Sequence, residues 1–218
     1  MIRLIALVLI FCGSLHAQFE GVVESKNTTT EESDTQQQYQ MTIWVKGAMA
    51  RIATSATATN PASTMIYRSD LRVIWILNED NKSYFQVSMG KSQDDAAGKE
   101  EPAKVRRTGK SRKMLGYTCD QYLITQGDME TEIWGTKDLR ALSTSLARAL
   151  GEERAGQGEA WNDELTRLGI YPIVANSRIE GNVVEAQEVV KIDRRALSDD
   201  LFTLPAGYKK QSVGDILK

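Results

Sequence analysis

Histidine and cysteine are nearly missing from this chain, and their scarcity removes much of the usual nucleophilic and metal chemistry. Of 218 residues, one is histidine, His16, and two are cysteines, Cys12 and Cys119. His16 and Cys12 fall within residues 1–17, which read as a leader. Arg3 provides a positive start, Leu4 to Phe11 an apolar run that ends before Gly13-Ser14, and Leu15-His16-Ala17 a small-residue end. This is the pattern of a secretory signal peptide, with cleavage expected after Ala17 and Gln18 as the first mature residue. The run is too short for a spanning helix, which needs ~20 apolar residues, and the bulky Phe11 before Cys12 argues against lipidation there.

Residues 18–218 then contain no histidine. A Ser-His-Asp or Cys-His nucleophile is excluded, and so is a zinc or iron site built on imidazole. Cys119 stands alone, so no intramolecular disulfide can form in the exported chain. A basic surplus is also lacking, because 27 Lys and Arg face 29 Asp and Glu for a net charge of −2, which argues against nucleic acid as a partner. No glycine-rich phosphate loop, acidic calcium loop, CxxC pair or internal repeat is present. The sequence calls for no metal and no cofactor, and it points away from an enzyme.

What is there is a globular composition, with 41% hydrophobic and 26% charged residues, in a length that suits one domain over residues 18–218. The dominant period is two. Met41, Ile43 and Val45 alternate with Gln40, Thr42 and Lys46, and Leu71, Val73, Trp75 and Leu77 alternate with Arg72 before the turn Asn78-Glu79-Asp80-Asn81. Similar runs over 19–25, 49–54, 64–68, 83–87, 105–108, 117–125, 130–134, 173–179 and 183–192 predict further short strands. Two helices interrupt them. Asp138 is placed to cap one that carries Leu139, Leu142, Leu146 and Leu150 and stops at Gly151; Trp161, Leu165 and Leu168 stripe a second, closed by Gly169. The expected class is mainly β (α+β): an antiparallel half-open barrel or curved sheet with two helices on its concave side. Segments 28–38, 88–103 and 151–158 read as exposed or loop.

Three constellations bear on function. Met41, Ile43, Trp44, Met65, Trp75, Trp134 and Trp161 are placed to line an apolar cavity, or else to fill a closed core. Lys104, Arg106, Arg107, Lys110, Arg112 and Lys113 form a basic run without an acid among them, suited to an anionic membrane surface or acidic partner, or simply the solvated side of a hairpin. Asp128, Glu130 and Glu132 alternate along one predicted strand and read as its wet face rather than as catalytic carboxylates. Cys119, without a histidine to activate it, reads as a small core residue.

Four segments together resemble a known family. Met41-Thr42-Ile43-Trp44-Val45-Lys46-Gly47, Gly116 to Tyr122, Glu132 to Leu139 and Asp200-Leu201-Phe202-Thr203-Leu204-Pro205-Ala206-Gly207-Tyr208 follow the pattern of DUF4412, a family of exported bacterial proteins, and the ending is the most specific of them. The family in turn resembles the LolA/LolB-type lipoprotein carriers, an incomplete antiparallel barrel whose opening is covered by helices. The resemblance implies a periplasmic or secreted protein that binds a lipid or lipidated protein. Arg51, Arg68 and Arg72 are each candidates for the arginine that such carriers place in their cavity.

Overall fold

The computed structural model describes residues 18–30, 35–89, 103–151 and 160–212. The expected leader lies outside the described residues, as does most of the segment read as a glycine-rich loop. Eleven strands precede a short twelfth: β1 (Glu20–Thr30), β2 (Gln36–Lys46), β3 (Met49–Thr54), β4 (Ser63–Arg68), β5 (Val73–Asn78), β6 (Ser83–Ser88), β7 (Lys104–Met114), β8 (Tyr117–Gln126), β9 (Met129–Thr136), β10 (Tyr171–Ile179), β11 (Asn182–Arg194) and β12 (Lys209–Lys210). Helices α1 (Arg140–Leu150) and α2 (Ala160–Leu168) lie between β9 and β10. All strands form one curved open sheet in the order β12-β6-β5-β4-β3-β2-β1-β11-β10-β9-β8-β7, antiparallel except where β12 joins β6. The fold class expected from the sequence is the one observed.

Residues paired across strands share a face, because side chains alternate along each strand. One face carries both helices. Val23, Ile43, Val45 and Val189 pack there with Leu139 and Leu142 at the start of α1. Ala50, Tyr67 and Ile74 meet Leu146, Ala149 and Leu150 further along it. Leu165 of α2 and the following Ile170 close over Tyr122, Ile124, Ile133 and Ala175.

The other face is covered over β1 to β6 by the chain's last described stretch, a strap running from Leu197 to Tyr208. Val22, Trp44, Ile66, Trp75 and Leu77 lie under Leu197, Phe202 and Leu204, with Phe202 fully buried. Polar groups pin the strap down. The Lys46 ammonium donates to the Leu197 carbonyl at 2.7 Å and pairs with Asp199 at 2.7 Å, the Leu197 amide donates to Glu20 at 2.6 Å, and the Tyr208 hydroxyl donates to Glu79 at 2.6 Å.

Several sequence expectations need correction. In the stretch 28–38, expected to be exposed, residues to Thr30 belong to β1 and those from Gln36 to β2; Gln36 and Gln38 are exposed, but Gln37 is buried. Leu71 is not in a strand but half exposed in the turn before β5, where Arg72 adopts φ 56°. Asp138 does not cap α1; Leu139 occupies that position with its side chain fully buried, so packing rather than capping starts the helix. The basic run is one arm of a hairpin, the mostly exposed edge strand β7, whose partner β8 follows a two-residue turn. Leu115 and Gly116 both have positive φ there, 50° and 84°, the twist that suits tight antiparallel hairpins.

Candidate functional site

The strap does not reach the whole of its face. Val22 and Trp44 lie beneath it, but Lys26 and Thr28 further along β1, and Gln40 and Gln38 opposite them on β2, stay on the same face beyond its cover. The register carries this bare surface across the sheet. Lys26 faces Glu188 and Thr28 faces Ala186 on β11; Glu188 and Ala186 face Val174 and Asn176 on β10; those face Trp134 and Glu132 on β9.

Here the sheet closes around a cleft of about 1080 Å³. Lys26, Gln38, Gln40, Val174, Asn176 and Glu188 line one part of it, and Arg112, Lys113 and Met114 of the edge strand β7 line another. In the sheet order β1 and β7 are five neighbours apart, a separation of ~24 Å if the sheet were flat. Their presence in one cleft is the signature of strong curling, helped by bulges between Glu24 and Ser25, Ser177 and Arg178, and Arg107 and Ser111.

Arg112 is the most organised group at this site. Its guanidinium lies over the Trp134 ring at 3.9 Å from the ring centre. The Trp134 indole N–H donates to Glu132 at 2.9 Å, so the aromatic plane is itself fixed. Burial opposes the charge on Glu132, but hydrogen bonds from Gln121 and Trp134, with Arg178 and Arg112 nearby, hold its carboxyl below the usual carboxylate range. Gln121 is braced from the edge strand, accepting from the Thr108 hydroxyl at 2.8 Å. The alternating carboxylate Glu132 is thus an anchor beneath Arg112 rather than a member of a merely wet face.

The apolar candidates are not brought into one cavity. Met41, Ile43 and Met65 sit on the helix-bearing face within the clusters around α1. Trp44 and Trp75 sit on the opposite face under the strap, with the Arg51 and Arg68 guanidiniums about 6.0 and 5.9 Å from their ring centres. Trp134 is nearly buried under Arg112 and belongs to the same core cluster as Ile43 and Met41. Trp161 falls in α2, with its side chain outside the described residues. Of the three carrier-type arginine candidates, Arg51 donates to the Leu201 carbonyl at 3.4 Å and Arg68 to the Phe202 carbonyl at 3.2 Å, so both hold the strap, while Arg72 lies in the β4–β5 turn.

Strand alternation also divides the basic run. Arg106 and Arg112 pair with Leu123 and Cys119 on the cleft-bearing face, whereas Arg107 and Lys113 pair with Tyr122 and Thr118 on the other. Lys104 is exposed at the start of β7, Lys110 lies in its bulge, and Arg107 is held by Asp120 at 2.7 Å. Cys119 is fully buried, and burial pushes its thiol up, away from reactivity. Among the described residues no group of acids and cysteines is arranged to hold a metal ion, and no helix is long and apolar enough to cross a membrane.

Residues 19–208 match the family described as "Domain of unknown function (DUF4412)". The chain belongs to the DUF4412 family. No curated protein matches its sequence. Among solved structures, an uncharacterized conserved protein from Thermus thermophilus is similar at TM-score 0.52 and 10% identity, over 88% of this chain and 90% of that one. A LolA superfamily protein from Nitrosomonas europaea is similar at TM-score 0.39 and 11% identity, over 85% of this chain and 90% of that one. The structure of PNGF-II is similar at TM-score 0.44 and 11% identity, over 90% of this chain and 32% of that one. At such identities the likeness is one of fold alone.

Lys26, Gln40, Asn176 and Glu188 were not singled out by sequence. Each is an ordinary polar residue in an alternating strand, and only the sheet's curl converges them.

Proposed function

We propose that this DUF4412 protein is an exported, non-catalytic binding protein that holds an amphiphilic ligand, a lipid or the lipidated segment of another protein, in the cleft of its curled sheet. The observation that carries the reading is the cleft itself. At about 1080 Å³ it lies slightly above the ~300–1,000 Å³ range of small-molecule sites, and it mixes Val174, Ala186 and Met114 with cations and amide side chains. That lining suits a ligand with one apolar and one polar part better than a purely apolar one. The non-catalytic part is supported by the absence of histidine from residues 18–218 and by the burial of Cys119. Export rests on the Arg3 and Leu4–Phe11 arrangement.

Native mass spectrometry of protein purified gently from the cell envelope tests the reading. A co-purifying amphiphile, displaced by Val174→Glu, is expected; a clean apo mass that does not change when lipids are added would contradict it. Cell fractionation with N-terminal sequencing should find the mature chain outside the cytoplasm and starting at Gln18.

A second reading, an envelope scaffold acting through protein contacts, is favoured by a different observation. The apolar candidates of both faces are packed into filled clusters, and β7 ends the sheet with one edge unpaired by any described strand. An extended partner segment adding to that edge would need no cavity at all.

A further inference from the structure

We propose that Arg112, with Lys26, forms an anion-recognition site at the cleft, and that the group it takes is a phosphate. The inference rests on the cleft being the ligand site and names the chemistry of the ligand's polar end. Three observations on independent residues converge.

The first is charge. On the cleft-bearing face of the lining Lys26 and Arg112 are both cationic, facing Glu188, in a protein whose net charge is −2. A phosphate monoester carries ~−1.5 to −2 at neutral pH, enough to engage both cations at once, whereas a single carboxylate carries one charge.

The second is availability. The other arginines placed beside tryptophans are committed: Arg51 and Arg68 bond strap carbonyls, and Arg68 also pairs with Asp70 at 2.6 Å. Arg112 has no ion pair among the described residues, and neither has Lys26. Lys26 and Glu188 stand opposite each other in register without closing a salt bridge.

The third is preorganisation. A guanidinium resting on an aromatic face keeps the N–H groups at its edge free, where a pair of them can match two oxygens of a phosphate at once. Trp134 supplies that face and Glu132, bonded to the indole N–H, keeps it in place. Arg112 therefore enters binding with its orientation already set, which lowers the entropy cost of forming the fork.

Isothermal titration of the mature chain with three probes below micelle concentrations tests the inference: dodecyl phosphate, dodecyl maltoside and inorganic phosphate. Dodecyl phosphate should bind ~10-fold to 100-fold more tightly than dodecyl maltoside, the range expected for charge-assisted hydrogen bonds. Arg112→Gln should abolish that preference, bringing the dodecyl phosphate affinity down to that of dodecyl maltoside measured on the same variant. Arg112→Lys, which keeps the charge without the fork, should recover only part of it, and Lys26→Gln should give a smaller loss. Competition by inorganic phosphate alone would mark free phosphate as the ligand and uphold the site; failure to compete would mark a phosphate-bearing amphiphile and uphold it too. Equal affinity for both detergents, unmoved by Arg112→Gln, would overturn the phosphate site and leave the cleft reading standing. No binding of any probe would overturn both.

Discussion

Strands β1 to β6 and strands β7 to β11 belong to one sheet but are finished differently. The first group is sandwiched: α1 covers one face and the strap from Leu197 to Tyr208 covers the other. The second is covered by α2 and by the start of α1, and no strap covers the part of it that bends around the cleft. Residue choice follows cover. Under the strap the outward positions are Trp44, Ile66, Trp75 and Leu77; where no strap lies they are Lys26, Glu132, Asn176 and Glu188. Strands β1 and β2 change character along their own length, apolar at Val22 and Trp44 and polar at Lys26 and Gln40. The cleft arises here from leaving one region of a face uncovered, not from hollowing the core.

The sharpest way to break this comparison is to remove the strap's anchor. Phe202→Ala should cost ~3–5 kcal/mol of stability, because a fully buried phenyl leaves a cavity that the strap cannot easily close. Asn176→Ala in the cleft should stay within ~0.5 kcal/mol, as surface changes usually do. Urea denaturation of both variants checks the pair, and similar losses would show that the two regions are equally structural. A smaller loss is expected from Lys46→Met, which releases Leu197 and Asp199 without opening the core; its melting temperature should lie between those of the other two variants.

Acid response should separate the faces in a different way. The Arg68 guanidinium bonded to Asp70 holds that carboxyl below the usual range, so its contribution is present above the ordinary carboxylate pKa and is lost as pH falls through the lower folded value. Burial raises Glu185 instead, so its cost to stability appears as pH rises from the ordinary carboxylate pKa through the raised folded value. Asp70→Asn should flatten the acid limb of a stability-against-pH curve. Glu185→Gln should raise stability at neutral pH and change little at the acid end. Chemical denaturation at a series of pH values reads both, and parallel curves for the two variants would remove the distinction.

The class of fold was legible because period-two runs and two leucine-striped helices are local signals. Which face each residue takes was not. Ile43, Trp44 and Val45 are apolar in succession, since both faces are covered at that point, and alternation is silent where nothing is polar. The strap lacks periodicity, although its Asp200 to Tyr208 ending was the most specific family segment. The basic run read as one patch along the chain, but strand geometry sends Arg112 and Lys113 to opposite faces. The cleft was hidden for the same reason that it exists: its walls are remote in sequence and meet only through curling.

The smallest expected effect concerns that run. With Arg107 held by Asp120 and the remaining charges divided between faces, a planar anionic membrane meets only part of it at once. Each residue near such a surface contributes ~1 kcal/mol. Co-sedimentation with anionic vesicles should therefore fall less on neutralising Arg106, Arg107 and Arg112 together than the ~3 kcal/mol that three coplanar charges would give. A full loss of that size would restore a single docking patch.

The proposed ligand should bind on the uncovered part of the sheet face and nowhere in the packed halves. Amide chemical-shift mapping of the full mature chain titrated with dodecyl phosphate tests it most directly. Shifts concentrated at Lys26, Gln38–Gln40, Arg112–Met114, Val174–Asn176 and Ala186–Glu188, with the Leu197–Tyr208 strap and α1 unmoved, are the predicted result. Shifts centred on α1, on Met41, Ile43 and Met65, or beneath the strap would place the ligand in the core and contradict it.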